Sequence, residues 1–495
     1  MIDNFIAGSV ALFGDPFTIG IFIFGVIGGM LFGAIPGVSM LTLAAILLPF
    51  TASLEPAQGV MLFAVIYCTG TYGGAITAIL FNIPGAPENA PTAFDGYPMT
   101  RKGQSGKAVG AAVLCSAIGG VTSAIVMMAA TEPLANWAIS NIGPPEIFAL
   151  VFFGLAVASS VGGRTLWKGW MSVLLGLLIA TIGQDPVGGI NRYNFGFSDL
   201  AAGIAFVPAI LGFFAVSEIF VQAEKKAIGM YEAPKLSLDF PTILELWTHK
   251  IAVVRSILVG FFCGILPGIG ATLAAFMGYG EAVRWSKNKE SFGKGNLEGV
   301  ISSETANNAA TGAAMIPLLA LGLPGGALTA MMVAVFQMHD LEPGPLVFYN
   351  SPDLIWIVFA AMFYANVSIL FIGLIETKTI LYLLKIPFQF LAPMILLLAS
   401  IGSYIGRGLV LDVMVMFISG IMGFLLRRSG YSIPGIVLGI ILGKIGEQNF
   451  AQGMQMVHYD LLEYLSRPIC LLLIVAGSLT LLAGIYKALS FSFKS

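Results

Sequence analysis

The chain has 495 residues, 57% of them hydrophobic and only 10% charged, with 24 Lys+Arg against 26 Asp+Glu and a net charge of −2. A soluble domain carries roughly 25% charged residues, and so thin a charged shell cannot cover a chain of this size in water. The mean hydropathy of +0.90 agrees; a soluble enzyme, a disordered chain and a disulfide scaffold are excluded, and no basic field exists for nucleic acid.

The N-terminal MIDNFIAGSVALFGDPF contains Asp3 and Asp15 but no Lys or Arg, so it lacks the basic n-region of a signal peptide and reads as mature protein. Apolar runs approaching the roughly 20 residues that span a bilayer as helix occur in the first half at 17–35, 59–82, 108–130, 145–161, 169–183 and 200–221. The second half adds 251–266, 305–323, 354–376, 386–405, 409–426, 432–446 and 468–488. Two shorter apolar stretches, 38–50 and 269–280, each follow a Pro-Gly and read as arms of re-entrant hairpins. The longest polar stretch, 223–250, carries Phe240, Ile243, Leu244 and Trp247 at helical spacing, which predicts a surface linker with an amphipathic interfacial helix. The four cysteines show no C-x-x-C spacing and read as small buried hydrophobes, not zinc ligands or disulfide partners.

An internal repeat organises these elements. Gly33-Ala-Ile-Pro36-Gly37 returns as Gly264-Ile-Leu-Pro267-Gly268, an offset of 231, and Thr42-Leu-Ala-Ala45 returns as Thr272-Leu-Ala-Ala275. Thr71-Tyr-Gly-Gly…Ile83-Pro84-Gly85 returns as Thr311-Gly-Ala-Ala…Leu323-Pro324-Gly325, an offset of 240. The difference fits a longer second-half loop, 281–299, which holds Arg284, Lys287, Lys289 and Lys294, whereas its counterpart 51–58 has no basic residue. After the second motif the bias reverses: Arg101, Lys102 and Lys107 follow in the first half, and 339–353 has none. Lys and Arg collect on the cytoplasmic side, so the halves are expected to be inserted upside down relative to each other. The predicted fold is an all-α polytopic membrane protein with two inverted-topology repeats, 1–222 and 251–495, joined by the linker 223–250, with about 11–12 spans plus hairpins. The N-terminus is expected outside and the C-terminus inside. Arg192, Arg407, Lys444 and Arg467 break the charge pattern.

Inverted repeats with broken helices at matching positions point to a transport site near the bilayer midplane. Freed amides and the positive end of a broken helix suit an anion, and freed carbonyls suit a sodium ion. The expected substrate-binding residues are Ser39, Thr71, Asn82, Pro84, Gly85 and Asn89 of the first half with Thr272, Asn307, Asn308, Thr311, Pro324 and Gly325 of the second. Gly37, Thr42, Gly268 and Gly322 are the expected sodium ligands. Small residues also let helices pack closely, so any single Thr or Asn serves equally well as packing glue. Glu88 and Glu304 stay open between the site and a solvated loop end, and His339, beside Asp340 and Glu342, reads as a solvated loop histidine.

Two other classes compete. Gly103-Gln-Ser105-Gly106 fits the G-x-S-G of an intramembrane serine protease, but it sits beside Arg101, Lys102 and Lys107, and none of the three histidines lies in a clear span to act as base. No H-E-x-x-H of a metalloprotease and no G-x-x-x-x-G-K-[ST] of ATP hydrolysis occurs, so transport is expected to draw on an ion gradient or a partner. A channel is the remaining alternative, without apparent charged pore rings.

At these motifs the sequence resembles the large membrane subunit of the tripartite tricarboxylate transporters, the TctA family. The likeness is carried by GAIPGVSMLTLAAILLPFT (33–51), YCTGTYGGAITAILFNIPGAPENAPTAFDGYPMTRKGQSGKA (67–108), GILPGIGATLAAFMGYGEA (264–282) and SSETANNAATGAAMIPLLALGLPGGALTAMM (302–332), and it weakens after about residue 440. The resemblance implies a secondary transporter of the bacterial inner membrane that imports citrate, another tricarboxylate, or a dicarboxylate or aromatic carboxylate, driven by Na+ or H+ and needing no other cofactor. It also implies a small four-span membrane subunit and a periplasmic solute-binding protein as partners, with a homodimer of the complex left open. Carried over by position, the paired motifs of the family are Pro36-Gly37, Pro84-Gly85, Pro267-Gly268 and Pro324-Gly325, and substrate and ion are expected between them. An elevator-like alternating-access cycle is the expected mechanism.

Overall fold

The computed structural model describes residues 1–35, 39–161, 166–185, 188–224, 241, 243–266, 270–383 and 388–492. Helix α1 (Ile2–Gly14) leads into α2 (Pro16–Ala34), whose N-cap Asp15 accepts from the Thr18 amide, and α3 (Met40–Leu47) runs into a 3-10 turn ending at Ser53. Next come α4 (Pro56–Phe81), α5 (Ala90–Arg101), α6 (Ser105–Asn141), α7 (Pro144–Val161) and α8 (Leu166–Ala180). A two-residue antiparallel pair, Gly183–Gln184 with Asn191–Arg192, precedes α9 (Phe206–Ile210) and α10 (Ser217–Glu224), which a π turn joins into one rod. The second half holds α11 (Ile243–Thr248), α12 (Lys250–Ile265), α13 (Gly270–Trp285), α14 (Leu297–Leu321), α15 (Ala327–Met338), α16 (Val347–Asn350) and α17 (Pro352–Leu383). It closes with α18 (Phe388–Ile405), α19 (Val410–Arg428), α20 (Ile433–Met456), α21 (Leu461–Ser466) and α22 (Pro468–Ser492).

Among the described residues, six helical stretches are long and apolar enough to cross a membrane: α2, α4, α6, 206–224, 352–373 and α19. The chain is thus an all-α, multi-pass membrane protein. Seven further apolar stretches of 10–17 residues lie among the described residues, and the whole helices α7, α18 and α22 run to 18, 18 and 25 residues, about 27 Å or more of a core roughly 30 Å thick. Composition sets α14 apart: it has 25 residues but carries Ser302, Ser303, Glu304, Thr305, Asn307 and Asn308. Protein surrounds that helix, so it needs no lipid-compatible face.

Two segments differ from the expected elements, and a third is described in part. Helix α6 runs to Asn141 with Pro133 inside it, so 131–141 is helix and not loop; a proline costs one hydrogen bond, which the rest of a long helix tolerates as a kink. Residues 2–14 form a helix of their own, laid against α17 through Phe5 on Phe363 and Phe13 on Tyr364, with centroids 5.4 and 4.9 Å apart. Of the expected amphipathic linker helix, Ile243, Leu244 and Trp247 lie in α11, with Trp247 exposed and Lys107 of α6 paired to Glu245, while Phe240 and most of the rest of the linker lie outside the described residues.

The centre of the molecule is α4 and α14. From Gln58 to Leu80 and from Gly299 to Ala320 every residue is buried, as expected of helices with no polar face turned to solvent. Helix α2 lies along α4, α12 and α13 lie along α14, and α6 and α5 join the two. Small residues set the closeness. A Cβ at Gly33 would overlap the Gly70 carbonyl, and one at Gly264 would fall 2.6 Å from the Ala310 carbonyl oxygen. One turn earlier, Gly29 faces the Ile66 backbone and Gly260 the Ala306 backbone. The same two contacts therefore occur twice, with the paired residues at the sequence offsets of 231 and 240.

Three of the four basic residues that break the charge pattern are neutralised. Arg192 donates to both oxygens of Glu447 at 2.5 and 3.0 Å, Arg407 grips buried Asp412 with one bond at 2.9 Å, and Arg467 donates to buried Glu146 at 2.5 Å. A paired guanidinium is not the free charge that loop counting assumes.

Candidate functional site

The helix breaks recur in matched form. Helix α2 ends at Ala34 with Ile35 extended (φ −77°, ψ 117°), and α12 ends at Ile265 with Leu266 at φ −77°, ψ 122°; the next helices start at Met40 and Gly270. The intervening Pro36-Gly37 and Pro267-Gly268, including the expected ion ligands Gly37 and Gly268, lie outside the described residues. The second pair of breaks is described in full. Helix α4 ends at left-handed Asn82 (φ 59°), and the Ile83 amide donates back to the Thr77 carbonyl at 3.3 Å. Helix α14 ends at left-handed Gly322 (φ 74°), and Leu323 donates back to Pro317 at 3.1 Å. Both are Schellman-type ends, in which one left-handed residue lets the next amide reach a carbonyl six residues back. Non-helical residues 83–86 and 323–326 follow, and then a new helical turn in each half.

The breaks converge. Gly85 sits where a Cβ would overlap the Gly33 carbonyl and lie 2.7 Å from Gly74 Cα, so the second break of the first half touches the helix entering the first break. Met40, at the start of α3, packs on Gly70 and approaches the Thr71 hydroxyl at 3.8 Å. In the second half, Gly270 lies against Gly325 and Gly326, and Gly325 faces Ala314. The two halves meet here as well: Thr272 donates to Glu88 at 3.4 Å, and Asn307 donates to the Glu88 carbonyl at 3.3 Å.

Around this junction is a buried polar cluster with little formal charge. Asn89 donates to the Thr71 carbonyl at 2.8 Å, and Asn308 donates to the Glu304 carbonyl at 3.1 Å and to Asn307 Oδ1 at 2.8 Å. Asn89 Oδ1, Asn308 Oδ1 and Ser302 Oγ are buried without a hydrogen-bond partner. Buried amide and hydroxyl oxygens are costly to leave unpaired, so these three atoms mark where a polar ligand has something to satisfy. Glu88 and Glu304, which the sequence leaves open, are both buried.

The remaining expected residues divide by environment. Thr71 and Thr311 are fully buried, but their hydroxyls bond within their own helices, to Tyr67 and Asn308 carbonyls at 2.8 Å each; Cys68 Sγ bridges toward Thr311 Oγ1 at 3.9 Å. Pro324 and Gly325 are buried, Pro84 is half-buried, and Asn82 is exposed at its capping position. Ser39 caps α3 through its carbonyl, Thr42 is buried within α3, and Gly322 holds the α14 cap. Two cavities, of ≈ 260 and ≈ 350 Å³, lie elsewhere, against α1 and in an apolar recess between α2 and α3; neither is lined by this cluster.

Several members escaped the sequence reading. Asp95 of α5 is fully buried, accepts from the Tyr279 hydroxyl at 2.9 Å and from the Gly295 and Asn296 amides at 2.8 Å each, and ties α5 to the loop before α14. Asn366, alone in the apolar run of α17, fills the space beside Gly120 and keeps its Oδ1 unpartnered. A lone amide in an apolar span is the signal that could have found it. His339 is only half-buried, not solvated: its Nε2 is enclosed beside Gly59 and has no partner. Ser105 is the fully buried first residue of α6, which leaves the G-x-S-G segment as a helix start.

Residues 19–438 match the family described as tripartite tricarboxylate transporter TctA family. An uncharacterized 52.8 kDa protein of the TAR-I ttuC′ 3′ region of Agrobacterium vitis is 35% identical over 460 residues, covering 92% of this chain and 90% of its own. A second uncharacterized protein, of the TAR-II ttuC′ 3′ region of the same organism, is 35% identical over 218 residues, 44% of this chain and 90% of its own. No solved structure matches.

Proposed function

The chain belongs to the tripartite tricarboxylate transporter TctA family, and from that membership and the geometry of its helix breaks we propose that it imports a carboxylate anion across the inner membrane of a bacterium. The observation that carries this reading is the junction where the breaks at 82–86 and 322–326, one from each half, meet a buried cluster of amides and hydroxyls. A carboxylate needs donors and a compensating cation, and a low-dielectric site holds it best with preorganised dipoles and no buried arginine. A new helical segment begins directly after each break, at Pro87 and at Ala327, and the start of a helix favours an anion. The unpartnered oxygens of Asn89, Asn308 and Ser302 suit Na+ as the co-transported cation.

In this reading the doubled contacts, the matched caps and the opposed loop charges make the halves inverted repeats, and transport proceeds by an elevator-like exchange of access from one side to the other. A small four-span membrane subunit and a periplasmic solute-binding protein complete the machine, and the latter selects among citrate, other tricarboxylates, dicarboxylates and aromatic carboxylates. The test is uptake of a panel of labelled carboxylates into proteoliposomes holding the assembled complex, with and without a cation gradient and with and without the binding protein. Accumulation above equilibrium that needs both supports the proposal. Rapid downhill flux without the binding protein would identify a channel, and no flux of any carboxylate would refute the reading.

A further inference from the structure

Of the four basic residues that break the charge pattern, Lys444 is the one without an anionic partner among the described residues. Arg192 is held by Glu447, Arg407 by Asp412 and Arg467 by Glu146, whereas the Lys444 ammonium makes neither an ion pair nor a hydrogen bond to a described residue. Lys444 stands well inside α20, about 17 Å along the helix from Ile433. Every residue from Ile436 to Leu442 just before it is buried, but Lys444 itself is exposed. A charge in the middle of an apolar helix is costly unless water reaches it, and such residues line the routes of charged solutes.

Beside Lys444 the chain is not helical. The two arms of the connection between α8 and α9 cross at glycines: a Cβ at Gly183 would fall 2.5 Å from Gly203 Cα, and one at Gly203 (φ 77°) would fall 2.8 Å from the Ile182 carbonyl oxygen and 3.5 Å from Lys444 Nζ. Lys444 thus reaches the backbone that Arg407 also grips, since Arg407 Nη1 donates to the Gly203 carbonyl at 3.3 Å. Two cations flank one glycine. Arg407 places its Nε and Nη2 on Asp412, so its charge is matched. The other carboxylates of this region are engaged as well: Glu447 by Arg192, Asp185 by the Gly188 amide at 2.8 Å, and exposed Asp199, whose charge reaches Arg407, by Ser198 at 3.4 Å. The charge that acts on Lys444 is that of Arg407, of the same sign. Two residues before Lys444, Leu442 packs with Leu323 of the α14 break and Val151 of α7, so α20 walls the junction. Arg407 precedes α19, at whose far end stand Arg427 and Arg428; basic residues collect on the cytoplasmic side, which puts Arg407 toward the outer one.

Resting on the import reading above, we propose that Lys444, backed by Arg407 across Gly203, is a capture site for a carboxylate group of the incoming anion on the outer side of the junction. The ammonium offers three donors and the carboxylate two acceptor oxygens. A free positive charge on a low-dielectric wall raises the local concentration of anions. An exposed ion pair is also weak, and weakness suits this place, because the captured anion must leave again for a junction built of amides and hydroxyls. The site takes no ligand from the cluster of Asn89, Asn308 and Ser302, and it divides the work: charge collects the anion, and preorganised dipoles carry it.

The test measures initial uptake into proteoliposomes of the assembled complex, with the binding protein in excess, over a range of outside concentrations of labelled citrate or whichever carboxylate the panel above shows to be taken up. Lys444→Met is expected to raise KM about tenfold, the scale of one charge-assisted hydrogen bond, with Vmax falling by less than KM rises. Lys444→Arg keeps the charge and should stay within about twofold of wild type in KM. Charge is then restored chemically. Lys444→Cys should behave as Lys444→Met; aminoethyl methanethiosulfonate, which leaves an ammonium on the sulfur, should bring KM back, and the sulfonatoethyl reagent, which leaves an anion, should not. The four native cysteines are buried, so wild type is the unreacting control. A KM unchanged in both Lys444→Met and Lys444→Cys, or restored equally by the two reagents, overturns the proposal. So does a KM effect seen in vesicles containing phosphatidylglycerol and absent from phosphatidylcholine alone, because the group bound is then a lipid phosphate. A wild type that takes up no carboxylate refutes the import reading instead.

Discussion

Replacing Gly85 by alanine tests whether the helix breaks really meet as closely as described. The added methyl would overlap the Gly33 carbonyl oxygen on one side and lie 2.7 Å from Gly74 Cα on the other. Both are backbone atoms of long packed helices, α2 and α4, so neither can turn away as a side chain would. To reach an ordinary contact near 3.4 Å, the Gly74 side alone must open by about 0.7 Å, and close-packed interiors resist such shifts. Overpacking of this kind costs about 1–3 kcal/mol, and two rigid walls place Gly85→Ala at the upper end, more than a hundredfold in the folded ratio at 1.4 kcal/mol per decade. Gly325→Ala is the matched comparison: its nearest neighbour is the Ala314 methyl at 2.8 Å, with Ala314 Cα at 3.0 Å, so a smaller loss is expected. Gly280→Ala, in the exposed part of α13 with nothing within 4 Å, should gain about 0.5–1 kcal/mol from helix propensity. The assay is the fraction of each variant that stays monodisperse in mild detergent after heating for a fixed time, read as a rank because such unfolding is irreversible. The expected order of midpoints is Gly280→Ala, wild type, Gly325→Ala, Gly85→Ala. If Gly85→Ala ranks with Gly280→Ala, the two breaks of the first half are not in contact and the site as drawn is wrong.

Other outcomes follow from single residues. Asn82→Gly should keep both stability and uptake, because glycine adopts φ near 59° without penalty, whereas Asn82→Val should lose about 1–2 kcal/mol; loss of uptake in a stable Asn82→Gly would instead make the side chain a ligand. Asn89→Ala and Asn308→Ala should each lower carboxylate uptake at least tenfold with little change in folded yield, checked by initial rates and gel filtration, since each removes an unpartnered acceptor. Arg467→Met should cost about 3–5 kcal/mol by stranding buried Glu146, and the double variant Arg467→Met/Glu146→Leu should recover more than half of that, measured by heat challenge. The four cysteines are free and buried, so a bulky maleimide should label none of them in the resting protein; prompt labelling of Cys68 would show that α4 and α14 part there.

The sequence was most legible where the chemistry is local. The apolar runs named the solvent, and most of the expected spans correspond to helices within a few residues, because helix formation in lipid needs only enough apolar length. The Pro-Gly punctuation placed the ends of α2, α4, α12 and α14, since a proline and a left-handed residue stop a helix wherever they stand. Length was read less well: α6 continues through Pro133 to Asn141, and α20 runs on to Met456, ten residues past the expected end. The repeat in sequence was visible from Gly33, Pro84 and their partners, but that Gly33 and Gly264 each lie on a small residue of the neighbouring helix is a contact between distant segments.

What only the tertiary structure decided is where polarity is buried. Nothing local distinguishes Asn82, exposed at its cap, from Asn89 and Asn308, enclosed with an unpartnered oxygen each. Likewise, Glu88 and Glu304 look like loop carboxyls until α5, α6 and α13 are packed round α14, and Arg192, Arg407 and Arg467 look like misplaced positive charges until Glu447, Asp412 and Glu146 meet them. The reason is physical. Helix formation depends on neighbours in the chain, whereas the burial and pairing of a polar group depend on neighbours in space, and those are fixed only when the halves close on one another.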